Sequence, residues 1–75
     1  MQLTIKLMGM LKNKEPEGGV LELADGATIE DALVALEIPS DTVHVFSVNS
    51  QLERDKSRQL ADGDDFSVFP PVGGG

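Results

Sequence analysis

The sequence contains no cysteine, no tryptophan and no tyrosine among its 75 residues. Without cysteine the chain cannot form disulfides, hold zinc or an iron–sulfur cluster through thiolates, or use a thiol nucleophile of its own. Basic residues are few, because six Lys and Arg stand against 13 Asp and Glu, for a formal net charge of −7. Nucleic acids and anionic membranes attract clusters of Lys and Arg, so this charge argues against both and favours protein partners.

Long apolar runs are also missing. No stretch approaches the ~20 apolar residues of a membrane span, and the opening MQLTIKLMGM lacks the cleavage site of a secretory signal peptide. These features predict a cytoplasmic protein. The length predicts one domain over residues 1–75 with a small core.

The first half of the chain predicts a β-hairpin. In QLTIKL the apolar residues Leu3, Ile5 and Leu7 alternate with polar ones, as in a half-buried strand. VLELADG predicts a second strand with Leu21 and Leu23 inward. The polar stretch NKEPEGG between them predicts a loop, and two adjacent strands joined by such a loop most simply pair as a hairpin.

The segment TIEDALVALEIP predicts a helix of about ten residues. Thr28 is a good N-cap, and Asp31 three residues later supplies a weaker form of the capping box. Pro39 is expected to stop the helix near Ile38. Four apolar residues recur at helical spacing on one face: Ile29, Ala32, Leu33 and Leu36.

Two further strands are predicted after the helix. TVHVFSVNSQL predicts a strand with Phe46 and Val48 on one face and Val43 and Val45 on the other. After the turn ADGDD, the segment DFSVF predicts the last strand, in which alternation turns Phe69 away from the core.

The resulting order β-β-α-β-β predicts a two-layer α+β domain in which one helix covers one face of a sheet. If the last strand lies beside the first, the sheet is mixed and the helix forms its crossover layer. The predicted core consists of Leu3, Ile5, Leu7, Leu21, Leu23, Ile29, Leu33, Leu36, Phe46, Val48, Phe66 and Val68.

The ending FPPVGGG predicts a flexible tail over residues 70–75. Pro70 and Pro71 cannot donate to a β-ladder, so the strand must stop there. Val72 is the last residue with a side chain. The three glycines that follow have none, so they could thread a narrow slot: Gly73, Gly74 and Gly75. Such an ending suits a tail whose carboxylate reacts in a partner's active site, although unordered termini are also rich in glycine.

The segments QLTIKL, ATIEDALVAL, VNSQL, LADGDD and FPPVGGG together resemble the MoaD/ThiS family of ubiquitin-like sulfur carriers. The ending is similar to the Phe-Pro-Pro-Val-x-Gly-Gly of the molybdopterin synthase small subunit. The resemblance implies a β-grasp fold and a carrier that is not itself an enzyme, with no bound cofactor and no catalytic residue of its own. It implies that Gly75 carries the sulfur and that Gly73 and Gly74 allow the tail to thread into a partner's active site. It also implies that Val72 with Pro71 sets how far the tail reaches.

The implied partners are an adenylating enzyme related to ubiquitin-activating enzymes, which uses ATP to activate Gly75, and an enzyme that accepts the sulfur. The acceptor stays open between the molybdopterin synthase large subunit and thiazole synthase. The tail favours molybdopterin, whereas the short connection EIPSDTV is closer to the carriers of thiamine thiazole synthesis. A ubiquitin-like modifier that forms amide bonds with lysines, and an interaction module with an inert tail, are further alternatives.

Phe69 and Val45 are predicted to share the open face of the sheet beside the tail, where an aromatic side chain suits partner docking. The alternative is a Phe that packs against its own sheet edge. No metal site is predicted. His44 has no second ligand near it in sequence, and the acidic turn Asp62, Asp64 and Asp65 lacks the spacing of a calcium loop.

Overall fold

The computed structural model describes residues 1–70. Within this range the chain forms one α-helix, α1 (Ile29–Ala35), and short 3-10 turns at Gly9–Lys14, Glu17–Gly19 and Ser40–Thr42. The β-strands are β1 (Gln2–Leu7), β2 (Val20–Glu22), β3 (Val45–Val48), β4 (Gln51–Glu53) and β5 (Asp65–Phe69). The predicted tail, apart from Pro70, lies outside the described residues.

The strands form one mixed sheet in the order β2-β1-β5-β3-β4. β1 pairs antiparallel with β2, which confirms the predicted hairpin, and parallel with β5, so the last strand lies beside the first and the sheet is mixed. β3 pairs antiparallel with β5 and with β4. Apolar residues of α1 pack with those of the central strands in one cluster, which confirms the α+β class with a helix on one face of a mixed sheet.

The fold contains one strand more than the order predicted from sequence. The segment predicted as a single strand, TVHVFSVNSQL, is divided into β3 and β4 by a tight turn at Asn49 and Ser50. Both residues have positive φ, 52° and 70°, and Val48 pairs with Gln51 across the turn. Two residues with positive φ between paired neighbours form a type I′ hairpin, whose twist matches that of the flanking strands.

The start of α1 is as predicted. The backbone N–H of Asp31 donates to Thr28 Oγ1 at 3.2 Å, and the backbone N–H of Thr28 donates to Asp31 Oδ2 at 2.9 Å. This reciprocal pair is a full capping box. The first two helical N–H groups, those of Ile29 and Glu30, donate to carbonyls of the loop before β5, at Arg58 and Lys56, both at 3.0 Å. The helix therefore begins with its free donors satisfied.

The helix ends earlier than predicted, at Ala35 instead of near Ile38. Glu37 takes a left-handed φ of 60°. Its N–H donates to the Val34 carbonyl at 3.0 Å, and the Ile38 N–H donates to the Leu33 carbonyl at 2.9 Å. These two bonds form a Schellman motif, which reverses the chain and buries Ile38 against the core. The helix thus ends in a Schellman motif four residues before Pro39.

Most of the predicted core is confirmed. The rings of Phe46 and Phe66 stack at the centre, with centroids 5.9 Å apart. Leu21 and Leu23 are only partly buried, because they lie on and beside the short edge strand β2. The predicted core residues that are buried are Leu3, Ile5, Leu7, Ile29, Leu33, Leu36, Phe46, Val48, Phe66 and Val68.

Six buried residues fall outside the predicted core list: Leu11, Ala27, Ala32, Ile38, Val43 and Leu60. The placement of Val43 on the open face with Val45 is wrong, since its side chain is fully buried. β3 begins only at Val45, so strand alternation does not extend back to Val43, which follows a 3-10 turn. Leu11 and Leu60 also lie in irregular segments, where no periodicity marks the buried side.

Candidate functional site

The sheet face opposite α1 is organised in rows by the strand register. On β5, Phe66 and Val68 point into the core, so Ser67 and Phe69 lie on the open face. Val45 of β3 is the direct register partner of Phe69. The predicted placement of both residues on one open surface is therefore correct, and both side chains are partly buried.

The next row along the open face is mostly polar. Ser47 of β3 pairs with Ser67 of β5 on one side and with Leu52 of β4 on the other, and Ser67 pairs with Lys6 of β1. The two serines are small, so they form the floor of a shallow depression of about 280 Å³ that Lys6 helps to line. Leu52 at the sheet edge is 70% exposed. The open face thus combines the apolar Phe69–Val45 pair with a depression lined by two serines and Lys6, and with the exposed side chain of Leu52.

The root of the tail lies at the end of β5. Pro70 follows Phe69 and packs against Gly9, where a Cβ would come within 3.1 Å of Pro70 Cγ. Gly9 has a φ of 54°, in the left-handed region that favours glycine. The neighbours of Gly9 are exposed methionines, Met8 at 37% and Met10 at 74%. Sequence reasoning did not single out this segment, although a glycine between two methionines directly after a strand was its visible signal.

The tail residues predicted to carry the chemistry are Pro71, Val72, Gly73, Gly74 and Gly75, and all five lie outside the described residues. The structure places their attachment point at the same end of β5 as Phe69 and Val45. A partner that binds the tail would therefore meet the Phe69–Val45 pair first.

The acidic turn before β5 has a structural role at the opposite end of that strand. Asp62 Oδ1 accepts a hydrogen bond from the backbone N–H of Gln2 at 2.6 Å. Asp64 Oδ2 accepts one from the backbone N–H of Ala61 at 2.9 Å. The Asp62 carboxylate therefore holds the turn against β1, and the Asp64 carboxylate closes the turn itself, as expected for a turn with solvated charges.

A second set of carboxylates lies at the last residue of β4 and in the loop after it. The backbone N–H of Asp55 donates to the Glu53 carboxylate at 3.2 Å and lowers the pKa of Glu53, helped by the N–H of Arg54 and the guanidinium of Arg58. The hydroxyl and N–H of Ser57 donate to Asp55 at 2.6 and 2.9 Å and lower the pKa of Asp55. Both pKa shifts follow from hydrogen bonds to the ionised form within a structural loop.

His44 is exposed, just before β3. Across residues 1–70, no group of three or more His, Cys, Asp and Glu side chains is placed to hold a metal ion. Within the same range, no helix has the length and apolar character needed to cross a membrane.

The chain is similar in sequence to known proteins. The sequence profile of the ThiS family matches residues 5–75. The chain is also 34% identical, over 83 aligned positions, to the molybdopterin synthase sulfur carrier subunit of Chlamydomonas reinhardtii, an alignment that covers 97% of this chain and 100% of that protein.

Solved structures show the same fold at lower identity. Small archaeal modifier protein 1 of Haloferax volcanii superposes with a TM-score of 0.72 at 23% identity, covering 95% of this chain and 98% of that one. A chain from the complex of subunits 1 and 2 of molybdopterin-converting factor from Helicobacter pylori superposes with a TM-score of 0.62 at 21% identity, covering 100% of both chains. These neighbours are ubiquitin-like β-grasp proteins, and the chain belongs to the ThiS family.

Proposed function

We propose that this protein is a cytoplasmic sulfur carrier whose Gly75 carboxylate is converted to a thiocarboxylate that donates sulfur in molybdopterin synthesis. The observation that carries the proposal is the full-length similarity to a molybdopterin synthase sulfur carrier subunit. The family match extends to residue 75, so it includes the glycines to which the proposal assigns the chemistry.

The proposed chemistry has two stages. A carboxylate is a poor electrophile, so an adenylating enzyme first joins Gly75 to AMP from ATP and releases pyrophosphate. The terminal sulfur of a persulfide donor then attacks the acyl carbon, and AMP leaves. A second thiol cleaves the resulting S–S bond, which leaves a thiocarboxylate on Gly75 and a disulfide on the donor. ATP is used by the activating enzyme, and the carrier binds no cofactor of its own.

The composition of the chain suits a carrier of this kind. It has no cysteine that could compete for the persulfide sulfur, so sulfur can be held only at the terminal acyl group. Gly75 has no Cβ, so both faces of its carbonyl are open to attack by a nucleophile. Gly73 and Gly74 would allow the chain to pass through a slot too narrow for side chains, while Val72 and Pro71 set how far it reaches.

The open face supplies the docking surface in this proposal. Phe69 and Val45 lie opposite each other across β5 and β3, next to the attachment point of the tail. An aromatic and a β-branched side chain in register form a stable apolar contact area on a sheet face. We propose that they dock the adenylating enzyme and the sulfur-accepting enzyme, for which the molybdopterin synthase large subunit is the first candidate.

The intact mass of the protein tests the mechanism. Wild-type protein incubated with an adenylating enzyme, ATP and a sulfur donor should gain the mass that replaces one oxygen by sulfur, located at Gly75 by fragmentation. Deletion of Gly75 should abolish the gain and leave the melting temperature unchanged. A chain of full length that ends in a carboxamide is the matched control, since it removes only the reacting group. Normal loading of either variant would refute the mechanism.

Thiamine thiazole synthesis is the second candidate pathway. The connection between α1 and β3 is short and contains one 3-10 turn at Ser40–Thr42, and a short connection is the feature by which the sequence resembles the carriers of that pathway. Loaded protein supplied separately to thiazole synthase and to the molybdopterin synthase large subunit distinguishes the two acceptors by which product takes up the sulfur. Covalent adducts of higher mass in cell lysate would instead support the function of a protein modifier.

A further inference from the structure

We propose that Asp25 is a site of spontaneous backbone modification, at which aspartate converts to isoaspartate through a succinimide. The modified site is then a substrate for carboxyl methyltransferases that recognise isoaspartyl groups. The chain contains two Asp-Gly steps, Asp25-Gly26 and Asp62-Gly63, and in the folded protein the reaction is confined to the first. The inference does not depend on the proposed sulfur chemistry, because neither step belongs to the tail.

The reaction needs only the aspartic acid side chain and the next peptide bond. The amide nitrogen of the glycine attacks the aspartic acid Cγ, an N–Cγ bond forms and the Cγ–O bond breaks, so the hydroxyl leaves with the amide proton as water. A water molecule then adds to the main-chain carbonyl of the ring and breaks its C–N bond. The backbone now runs through Cβ and Cγ, and the α-carboxyl group becomes the side group. Glycine favours the first step, because it has no Cβ to block the approach of its nitrogen.

The two Asp-Gly steps occupy turns of the same kind. The turns span residues 24–27 and 61–64, and both begin with Ala-Asp-Gly. In each turn the N–H of the fourth residue donates to the carbonyl of the first at 3.1 Å. The φ angles of Gly26 and Gly63 are 87° and 85°, while neither aspartate has a positive φ, as in a type II turn. Local sequence and turn geometry therefore predict the same reactivity at both steps.

Contacts with β1 hold the second turn closed. The Gly63 N–H, which carries the attacking nitrogen, donates to the Gln2 carbonyl at 2.8 Å. The Gln2 N–H in turn donates to Asp62 Oδ1 at 2.6 Å. To bring the Gly63 nitrogen onto Asp62 Cγ, the peptide group between the two residues must rotate and the carboxylate must leave Gln2. Both hydrogen bonds are lost in this movement, so the reaction at Asp62 requires local opening of the fold.

The first turn has no equivalent restraint. Across residues 1–70, the Gly26 N–H donates no hydrogen bond and the Asp25 carboxylate accepts none. The Asp25 side chain is 95% exposed and forms an ion pair at 3.4 Å with the α-amine of Met1, and an ion pair so exposed to water restrains its partners weakly. The space around Gly26 is also open, since a Cβ there would meet only the Gln59 amide, at 3.8 Å. The Asp25-Gly26 peptide can therefore rotate without opening the fold.

The flanks of the first turn are anchored, so the modification stays local. The Leu23 N–H donates to the Met1 carbonyl at 2.9 Å, and the Ala27 carbonyl accepts from the Leu60 N–H at 2.8 Å. The extra backbone carbon of isoaspartate lies between these fixed points, on the surface between β2 and α1. The new carboxyl group remains exposed there, as an enzyme that methylates it requires.

Isoaspartate mapping of the full-length chain tests the inference. Folded protein is incubated near neutral pH beside the same chain unfolded in guanidinium chloride, until the unfolded chain carries isoaspartate at both sites. After dilution, methyl transfer from S-adenosylmethionine by an isoaspartyl methyltransferase measures the total, and electron-transfer fragmentation locates it. In the folded chain, Asp62 is expected to react at least about tenfold more slowly than Asp25, because two hydrogen bonds must be lost first. In the unfolded chain the two sites are expected to react at similar rates, because both lie in the sequence Ala-Asp-Gly.

Asp25→Glu and Asp62→Glu are the matched variants. Glutamate keeps the negative charge, but its longer side chain would have to close a larger ring, which forms much more slowly. Asp25→Glu is expected to remove most of the methyl acceptance of the folded chain. Asp62→Glu is expected to leave the methyl acceptance at Asp25 unchanged at equal fraction folded.

The outcomes separate this inference from the proposed function. Equal rates at Asp25 and Asp62 in the folded protein would show that the contacts with Gln2 do not control the reaction, and they would overturn the inference. A folded chain without isoaspartate at Asp25, at a time when the unfolded chain has reacted at both sites, would overturn it as well. Neither result changes the mass gain expected at Gly75, which tests the sulfur-carrier chemistry alone.

Discussion

Asn49 and Asp65 hold each other by two hydrogen bonds. The backbone N–H of Asn49 donates to the Asp65 carbonyl at 2.8 Å, and the backbone N–H of Asp65 donates to Asn49 Oδ1 at 2.9 Å. The Asn49 amide also donates to Asp64 Oδ1 at 2.9 Å. One side chain thus ties the β3–β4 turn to the first residue of β5, the strand that ends at Phe69 and leads into the tail.

Asn49→Ala is expected to lower the free energy of unfolding by about 1–2 kcal/mol, because it removes two side-chain hydrogen bonds and places alanine at a positive φ. Urea denaturation measures the change. Asn13→Ala, in an exposed 3-10 turn, is the control and is expected to change stability by less than about 0.5 kcal/mol. Equal stability of the two variants would show that the Asn49 bonds contribute nothing net.

Ser50→Gly is expected to raise the free energy of unfolding by about 0.5–1 kcal/mol. Ser50 has a φ of 70° at the second central position of a type I′ turn, where a Cβ is disfavoured and glycine is preferred. The gain is reduced by the greater freedom of glycine in the unfolded chain. Thermal unfolding measures the change, and a lower melting temperature than wild type would contradict this account of the turn.

Phe69→Ala is expected to weaken binding to the sulfur-accepting enzyme by at least about tenfold, or about 1.4 kcal/mol, because it truncates the aromatic half of the Phe69–Val45 pair. Val45→Ala should act in the same direction with a smaller effect. Titration calorimetry measures the affinity, with Val34→Ala on α1 as a control of equal chemistry. If Phe69→Ala and Val45→Ala bind the enzyme with the same affinity as the control Val34→Ala, the open face of the sheet does not contribute specifically to binding.

Glu53→Gln is expected to destabilise the protein at neutral pH and to have less effect in acid. Hydrogen bonds, first of all from the Asp55 N–H, hold the pKa of Glu53 below its ordinary value of 4.5 in the folded state. A lowered pKa means that the folded state favours the ionised carboxylate. Its contribution is therefore fully present above pH 4.5 and is lost as pH falls through the folded pKa.

Melting temperatures of wild type and Glu53→Gln across pH 3–7 measure this dependence. The difference between them should be constant near neutral pH and should narrow below pH 4.5. Glu17→Gln, which removes an exposed carboxylate and the same formal charge, is the control. A difference that stays constant down to pH 3 would show that ionisation of Glu53 is not coupled to folding.

Most of the fold could be predicted from residue patterns within single strands and the helix. Strand alternation in β1 and β5 named every buried residue of those strands, because a sheet with one covered face imposes a period of two. The capping box of α1 was also visible, since Thr28 and Asp31 satisfy it within one turn of chain. The position of Phe69 beside Val45 followed from the same alternation once β3 and β5 were assumed to share a sheet.

The features that residue patterns did not predict depend on packing between segments that are distant in the sequence. Val43, Leu11 and Leu60 are buried although they lie outside the helix and the strands, and α1 ends in a Schellman motif that turns Ile38 into the core. The turn at Asn49 and Ser50 depends on bonds to residues about 15 positions away, so a continuous strand was the simpler prediction from sequence.

The amino-acid sequence by itself therefore determined the fold class, the core of the central strands, the cap of the helix and the resemblance to sulfur carriers, since each can be read from short motifs and from their order along the chain. Only the tertiary structure decided that Gly9 lies against Pro70, with Met8 and Met10 exposed beside the root of the tail. Residues about 60 positions apart meet there because β1 and β5 pair in parallel, a contact whose register is set by the packed core as a whole.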